Sequence, residues 1–162
     1  FSLLDSMDYK LNIKNVDVNE VLREIVAYYI PELEAKDFNY DFNISEEEYW
    51  VNIDEVKFTR AISNLIDNAI KYNEKNTTLS VISRKFNDVI EIRIFDDGRG
   101  INEEIRDKIF EAFVREDKAR SSSTGGTGLG LAITKAIIEK HNGSIKLIDN
   151  TKGTEYRIIL NI

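Results

Sequence analysis

The chain has 162 residues, of which 42% are hydrophobic and 31% charged, so its length and composition fit one globular domain with its own core. The 29 acidic residues outnumber the 22 basic ones, and the net charge of -7 disfavours a nucleic-acid partner because phosphate backbones repel an acidic surface. The chain has no cysteine, which excludes disulfides and thiolate metal sites, and it has no apolar run near the length that spans a bilayer.

The first part of the chain predicts a helical end, a strand and a helix. Residues 1–8 have the pattern of the end of an amphipathic helix, so we expect them to continue a preceding segment of a longer protein. Residues 9–16 alternate polar and apolar side chains like a half-buried strand. Asp17 or Asn19 can cap the next helix, which carries apolar residues at helical spacing over 21–29.

Two aromatic-rich strands are predicted next, over residues 38–44 and 50–53. Strand aromatics usually pack against helices, so we expect a core position for Phe38, Tyr40, Phe42 and Trp50.

A long helix and a hairpin follow. Asp54 can cap a helix over 55–72. Residues 78–86 and 89–95 are predicted as paired strands, joined by a tight two-residue turn.

The last part of the chain predicts an irregular segment, a helix and two closing strands. Residues 102–127 carry few apolar side chains apart from a short helical patch around Ile105 and Ile109, and a long segment of this kind inside a compact domain is typically functional, often a lid. A helix over 129–141, a left-handed turn at Asn142-Gly143, and strands over 144–148 and 154–162 complete the chain. The sum is an α/β (α+β) two-layer sandwich with a mixed, mostly antiparallel sheet covered on one face by helices.

The helix over 55–72 has one apolar face and one carboxamide face. Asn64, Asn68, Lys71 and Tyr72 share a face at about 100° per residue. Asparagine lowers helix propensity, so two of them one turn apart are candidate oxygen ligands for a hard cation such as Mg²⁺, with Lys71 placed to meet phosphate. A solvated polar face is the alternative.

Two glycine-rich segments predict close approach of the backbone to a ligand. Asp96 ends a strand and is followed by Gly98 and Gly100, a geometry suited to an acceptor for an exocyclic amine, although a plain turn gives the same pattern. Closely spaced glycines over 125–130 stand where a helix begins, at a cost of about 1 kcal/mol each relative to alanine, and their backbone amides can face phosphate.

Together these segments resemble the N, G1, F and G2 boxes of the catalytic ATP-binding domain of sensor histidine kinases. The boxes are carried by Asn64 to Tyr72, Asp96 to Gly100, residues 109–115 and Gly126 to Gly130, and the match spans about 54–162. Four boxes in this order are highly specific. The resemblance implies the Bergerat ATP-binding fold that histidine kinases share with DNA gyrase, Hsp90 and MutL proteins.

The resemblance implies a metal site and a set of phosphate contacts. Asn68, with Asn64, would hold Mg²⁺, while Lys71 and Arg115 would reach the phosphates of ATP. The residues with catalytic roles would thus be Asn64, Lys71 and Arg115.

The resemblance also implies a base pocket and a lid. Asp96 would bind the adenine amine with Thr154 nearby, Tyr72 would pack beside the base, and residues 102–126 would form a flexible ATP lid. The remaining nucleotide contacts would be Gly98, Gly100, Ile101, Phe113, Gly126, Thr127, Gly128, Leu129, Gly130 and Leu131.

Asn64 distinguishes the branches of this fold. In the hydrolysing relatives a Glu one turn before the metal-binding Asn activates water, and serine kinases of the anti-sigma type also keep a carboxylate there; Asn64 is not a base at neutral pH. A kinase instead needs only positioning and charge neutralisation from this domain. The sequence therefore predicts a histidine kinase domain, with a non-catalytic ATP-responsive module and a gyrase-like or Hsp90-like ATPase as the alternatives.

The phosphoacceptor is expected outside this chain. The sequence has one histidine, His141, at the end of a predicted helix beside Asn142-Gly143, where a structural role is expected. Residues 1–8 resemble the end of a dimerisation hairpin, and 9–162 would be the ATP-binding domain. The expected partners are that hairpin and a response regulator. We expect a monomeric, cytoplasmic domain without membrane contact, in a homodimeric parent that is anchored in the cell membrane.

Overall fold

The computed structural model describes residues 10–111, 130–148 and 152–162. The first elements in these ranges are β1 (Lys14–Asp17), α1 (Val18–Ala35), β2 (Asn39–Asn43) and β3 (Trp50–Ile53). Next come α2 (Glu55–Lys71), β4 (Thr78–Phe86), β5 (Val89–Asp96) and the short α3 (Glu103–Arg106). The last are α4 (Gly130–Lys140), β6 (Ser144–Ile148) and β7 (Thr154–Asn161). Within the same ranges, no helix has both the length and the apolar character that crossing a bilayer requires.

In the described residues, one mixed sheet has the strand order β2-β4-β5-β7-β6. β2 runs parallel to β4, whereas the other neighbouring pairs are antiparallel. Phe86 pairs with Val89, so the predicted two-residue turn is confirmed, and Asn87 takes the left-handed backbone conformation (φ 54°) common in such turns. The predicted α/β architecture with a mostly antiparallel sheet is confirmed.

β1 and β3 form a separate two-stranded antiparallel sheet. Val51 and Ile53 of β3 are buried, whereas Trp50 is 47% exposed. The prediction that Trp50 belongs to the core is therefore wrong, because successive strand side chains point to opposite faces and the inward positions belong to its neighbours. The predicted strand over 9–16 is also too long at its start, since β1 begins at Lys14.

Tyr40 lies on the edge strand β2 and is 37% exposed, so its predicted core position is wrong as well. Its ring stacks on Phe42 with the centroids 5.2 Å apart, and its hydroxyl donates a hydrogen bond to Glu34 at 3.1 Å. Phe38, just before the strand, is buried as expected. At a sheet edge an aromatic ring can pack on its neighbour while its polar end stays in water.

The core lies between the main sheet and the helices. Its largest fully buried side chains are Leu22, Leu33, Ile53, Phe58, Ile62, Leu65, Ile66, Leu79, Ile90, Ile92, Ile94 and Ile137. Each such side chain contributes about 1.5–3 kcal/mol relative to an exposed one. α1, α2, α4 and the inner face of β5 all supply members, so α2 is fixed along its apolar side.

The opposite face of the sheet carries a ladder of charged side chains. Glu155 is bound by Arg157 at 2.8 Å and by Arg93 at 3.1 Å, and Glu91 lies 3.4 Å from Arg84. Only 5% of the Glu155 side chain is exposed. Burial alone would raise the pKa of Glu155, but the two arginine partners outweigh it and hold that pKa below its ordinary value.

Candidate functional site

Helix α2 has the two faces that its sequence predicts. The Asp54 side chain caps its start by accepting from a backbone amide of the first turn at 3.0 Å. Its buried residues are Phe58, Ala61, Ile62, Leu65, Ile66, Ala69 and Ile70. Asn64 and Asn68 are half-buried on the other side, one turn apart, Lys71 is exposed in the last turn, and Tyr72 is the C-cap. The division into an apolar and a carboxamide face is confirmed.

Asn64 joins α2 to the first turn of α4. Its Nδ2 donates to the carbonyl of Gly130 at 3.3 Å and to the hydroxyl of Thr134 at 3.2 Å. The Thr134 hydroxyl in turn donates to the carbonyl of Ala61 at 3.3 Å. These bonds use the amide hydrogens of Asn64 and leave its Oδ1 as the atom able to accept or ligate. Thr134 was not among the predicted site residues. The feature of the sequence that could have indicated it is a hydroxyl residue among the apolar, buried positions of α4.

His141 ties the end of α4 to the start of α2. It is 7% exposed, and its Nε2 accepts a hydrogen bond from the backbone amide of Asp54 at 3.0 Å. With Nε2 as the acceptor, the other ring nitrogen, Nδ1, donates to the carbonyl of Ile137 at 2.8 Å. The structural role predicted for His141 is confirmed.

Asp96 is a buried carboxylate at the end of β5. It is 5% exposed, and its Oδ1 accepts from the amide of Gly98 at 2.9 Å. The side chain of Asn73 and the backbone amide of Thr154 also hydrogen-bond to it. Burial, reinforced by the charge of Asp97, raises the pKa of Asp96 to about 6 although these hydrogen bonds oppose the shift. At neutral pH the site therefore holds an ionised acceptor that is largely removed from water.

Glycines enclose the turn that follows Asp96. Gly100 has a left-handed backbone (φ +77°), and a Cβ there would lie 3.1 Å from the carbonyl oxygen of Gly153. Gly153 is also left-handed (φ +82°), and a Cβ on it would lie 1.8 Å from the carbonyl oxygen of Asp96. The contacts of Gly100 with Gly153, and of Gly153 with Asp96, are thus made by main-chain atoms. Gly153 was not predicted; its signal is a glycine directly before the last predicted strand.

The end of α2 and the turn after β5 line the same cavity, which has a volume of about 950 Å³. Lys71, Tyr72 and Gly98, all predicted site residues, line it together. The guanidinium of Arg99 lies 6.0 Å from the centroid of the Tyr72 ring. The structure thus unites residues of the two predicted segments that are far apart in sequence.

Two of the apolar residues predicted for the site lie in the described ranges, and both pack on the core. Ile101 and Leu131 are partly buried against it. Phe110 contacts Tyr156 edge to face with the centroids 6.1 Å apart, and the ammonium of Lys135 lies 5.6 Å from the Phe110 centroid. Phe110 is thus also partly buried against the core.

Several predicted positions lie outside the described residues, together with most of the predicted lid over 102–126. These are Phe113, Arg115, Gly126, Thr127, Gly128 and Leu129. Their roles stay predictions.

Residues 53–162 match the family described as Histidine kinase-, DNA gyrase B-, and HSP90-like ATPase. The chain is 42% identical over 135 residues to the Sensor-like histidine kinase SenX3 of Mycolicibacterium smegmatis, a match that covers 82% of this chain and 34% of that protein. It is 40% identical over 146 residues to the Sensor protein kinase WalK of Staphylococcus haemolyticus, covering 89% of this chain and 24% of that protein. The chain thus spans only a minor part of the length of these relatives.

Solved structures of the same fold include the catalytic domain of histidine kinase ThkA, with a TM-score of 0.82, 24% identity and coverage of 93% of this chain and 98% of that chain. ThkA in complex with the response regulator protein TrrA gives a TM-score of 0.73 at 23% identity, covering 92% of this chain and 41% of that chain. The chain therefore belongs to the histidine kinase-, DNA gyrase B- and HSP90-like ATPase family, as an ATP-binding catalytic domain of the sensor histidine kinase type.

Proposed function

We propose that this domain transfers the γ-phosphoryl group of Mg·ATP to a histidine on an adjoining dimerisation hairpin, from which the group passes to an aspartate of a response regulator. Asn64 carries the proposal. Its carboxamide is oriented by hydrogen bonds to Gly130 and Thr134. By the resemblance of the motif, its position corresponds to the one at which hydrolysing members of the fold keep a general-base Glu. A carboxamide does not take a proton from water at neutral pH, so the site favours transfer to a partner over hydrolysis.

The carboxamide face of α2 supports binding of the metal and the phosphates. The Oδ1 atoms of Asn64 and Asn68 are hard oxygen donors, the class that Mg²⁺ prefers, and Mg²⁺ completes its coordination with phosphate oxygens and water. When bound, Mg²⁺ would neutralise charge on the β- and γ-phosphates. Lys71, exposed in the last turn of α2, and Arg115 would add positive charge at the phosphates.

Asp96 supports adenine as the base. Its buried carboxylate would accept a hydrogen bond from the exocyclic amine, with Thr154, its partner on β7, beside it. A charged acceptor out of water favours an amine donor over the 6-oxo group of guanine, which presents an acceptor. The domain would therefore prefer ATP to GTP.

In the transfer step, a ring nitrogen of the acceptor histidine would bond to the γ-phosphorus while the bond to the β,γ-bridging oxygen breaks and ADP departs. The residues of this chain contribute positioning and charge neutralisation to that step and no covalent bond. His141 is buried and uses both ring nitrogens in structural bonds, which supports an acceptor on another segment.

The partners in this proposal are the parent protein's own dimerisation hairpin and a response regulator. The solved complex of ThkA with TrrA is an example of a fold relative bound to such a regulator. We further propose that the domain alone is monomeric and cytoplasmic, and that the parent is a homodimer anchored in the cell membrane.

The test has two stages. Calorimetric titration of the domain with ATP and GTP, with and without Mg²⁺, is expected to give saturable, adenine-selective binding that Mg²⁺ strengthens. The parent's hairpin is then added with γ-labelled ATP, and label is expected on the hairpin in an acid-labile, base-stable form. Asp96→Asn should abolish both signals.

Other outcomes would select the alternatives. Tight ATP binding without label on the hairpin would indicate a regulatory module that transfers nothing. Steady phosphate release from the domain alone, lost in Asp96→Asn, would indicate an ATPase. Absence of ATP binding in both stages would refute the proposed function.

A further inference from the structure

Asn73, the residue after the C-cap of α2, makes three contacts with its short side chain. Its Nδ2 donates to the carbonyl of Ala69 in the last turn of α2 at 2.9 Å. Its Oδ1 accepts from the backbone amide of Arg99 at 3.1 Å. The same side chain also hydrogen-bonds to the carboxylate of Asp96. The nitrogen and the oxygen of this carboxamide therefore both have partners, which sets the orientation of the amide.

These contacts link two parts of the site that are distant in sequence. One end is the helix that carries Asn64 and Asn68, and the other is the turn that begins at Asp96. Asn73 lines the cavity together with its neighbours Tyr72 and Glu74, and it also bonds to both parts of the site at once. A shift of α2 along its axis would therefore be transmitted to the carboxylate.

Gly98 fits this contact sterically. A Cβ on Gly98 would lie 1.8 Å from Oδ1 and 2.4 Å from Cγ of Asn73, far inside contact distance. Positive φ values among the described glycines occur at Gly100 and Gly153, so the backbone of Gly98 is one that alanine can adopt. The reason for glycine at 98 is thus the space taken by the Asn73 carboxamide.

Asn73 also acts on the charge of Asp96. Burial and the nearby Asp97 raise the pKa of Asp96, whereas hydrogen bonds from Asn73, Gly98 and Thr154 favour its ionised form. Of these opposing donors, Asn73 is the side chain and the other two are backbone amides. It is therefore the donor that a substitution can remove without altering the main chain.

We propose that Asn73 is a positioning residue for base recognition, which holds the Asp96 carboxylate in its acceptor orientation and couples it to the last turn of α2. This inference rests on the proposed function, because it takes Asp96 as the partner of adenine. Gly98 is needed for this arrangement, because a side chain there would displace the carboxamide of Asn73.

The test is a double-mutant cycle of Asn73→Ala and Gly98→Ala, read by calorimetric ADP affinity and by the titration of the Asp96 carboxyl in NMR without nucleotide. Asn73→Ala is expected to weaken ADP binding about tenfold, as for loss of a hydrogen bond to a charged group. Gly98→Ala should weaken it by a similar factor, but the double variant should be no weaker than Asn73→Ala alone. Asn73→Ala should also move the Asp96 titration, and the loss of ADP affinity on acidification, to higher pH.

Asn15→Ala, which removes an exposed carboxamide on the small sheet, is the matched control and should change neither readout. Additive effects in the cycle, or an Asp96 titration that does not move in Asn73→Ala, would overturn the positioning role while ADP binding by the unaltered domain upholds the proposed function. If the unaltered domain binds no ADP, the proposed function and this inference both fail. Should Asn73→Ala not fold, Gly98→Ala reaches the same contact from the other side, and unchanged ADP affinity in that variant overturns the inference.

Discussion

Asp96→Asn is expected to stabilise the nucleotide-free domain at neutral pH while abolishing nucleotide binding. Burial raises the pKa of Asp96 to about 6, whereas an unfolded chain ionises it at its ordinary value. Below the ordinary pKa both states bind the proton and Asp96 imposes no cost; as the pH rises through the folded value, the folded state must hold a buried charge. At neutral pH the difference of about two pKa units corresponds to about 3 kcal/mol of lost stability.

The asparagine is neutral at every pH and keeps an oxygen that can accept from the amide of Gly98, whereas its Nδ2 cannot accept from Asn73 or Thr154, which offsets part of the gain. The free energy of unfolding of Asp96→Asn should therefore be higher than that of the unaltered domain by up to about 3 kcal/mol at pH 7.5. For a domain of this size, this corresponds to a rise of roughly 6–12 °C in melting temperature. The advantage should shrink steadily as the pH falls through about 6 towards 4. Urea denaturation followed by circular dichroism at several pH values measures it directly.

Asp88→Asn is the matched control, because it makes the same charge change on an exposed residue of the turn between β4 and β5. It should give no pH-dependent gain of this size. The reasoning is refuted if Asp96→Asn is equally or less stable than the unaltered domain at pH 7.5, or if its advantage does not depend on pH.

Three further substitutions test other parts of the structure. His141→Ala removes the acceptor of a buried backbone amide and should lower the free energy of unfolding by about 2–4 kcal/mol in urea denaturation, without loss of label on a supplied hairpin. Glu155→Gln should cost a similar amount, about 2–4 kcal/mol, with unchanged ADP affinity in calorimetry. Because the pKa of Glu155 is lowered in the folded state, its contribution is present at neutral pH and is lost as the pH falls through the acidic range. Gly153→Ala drives a Cβ into the carbonyl of Asp96 at a left-handed φ and should destabilise the domain by about 3 kcal/mol or more, measured by thermal melting.

Each of these has an outcome that would contradict it. Loss of the label with His141→Ala in folded protein would make His141 an acceptor candidate again. An unchanged stability with Glu155→Gln would mean that the arginines around it find equivalent partners. For Gly153→Ala the matched variant is Gly130→Ala, where a Cβ meets nothing within 4 Å, and equal melting temperatures for the two would refute the steric argument.

Local patterns in the sequence predicted the elements of the fold well. The 3.6-residue period of α2 separates the buried Leu65 and Ile66 from the carboxamides of Asn64 and Asn68, because each residue's place on a helix follows from its number. The two-residue hairpin turn and the left-handed Asn142 (φ 60°) were also predicted from patterns of neighbouring residues. Such features depend on neighbours in the chain.

What the sequence could not predict depends on contacts between distant segments. Alternation in β3 reads the same whether its partner is a core strand or β1, so the exposure of Trp50 was missed. The fit of Asn73 against Gly98 and of Gly153 against Asp96 joins residues that only the folded chain brings together. The candidate site was thus predictable as a set of residue types, but its steric arrangement was not.

The hydrogen bonds between α2 and α4 have a consequence for how the domain opens. His141 joins the end of α4 to the start of α2, and Thr134 joins the first half of α4 to Asn64 in the middle of α2. α4 and the first half of α2 should therefore unfold locally as one cooperative unit, and their amide protons should exchange with solvent water at a common free energy. A ligand held at Asn64 would then slow exchange at the far end of α4, next to His141, although it contacts nothing there.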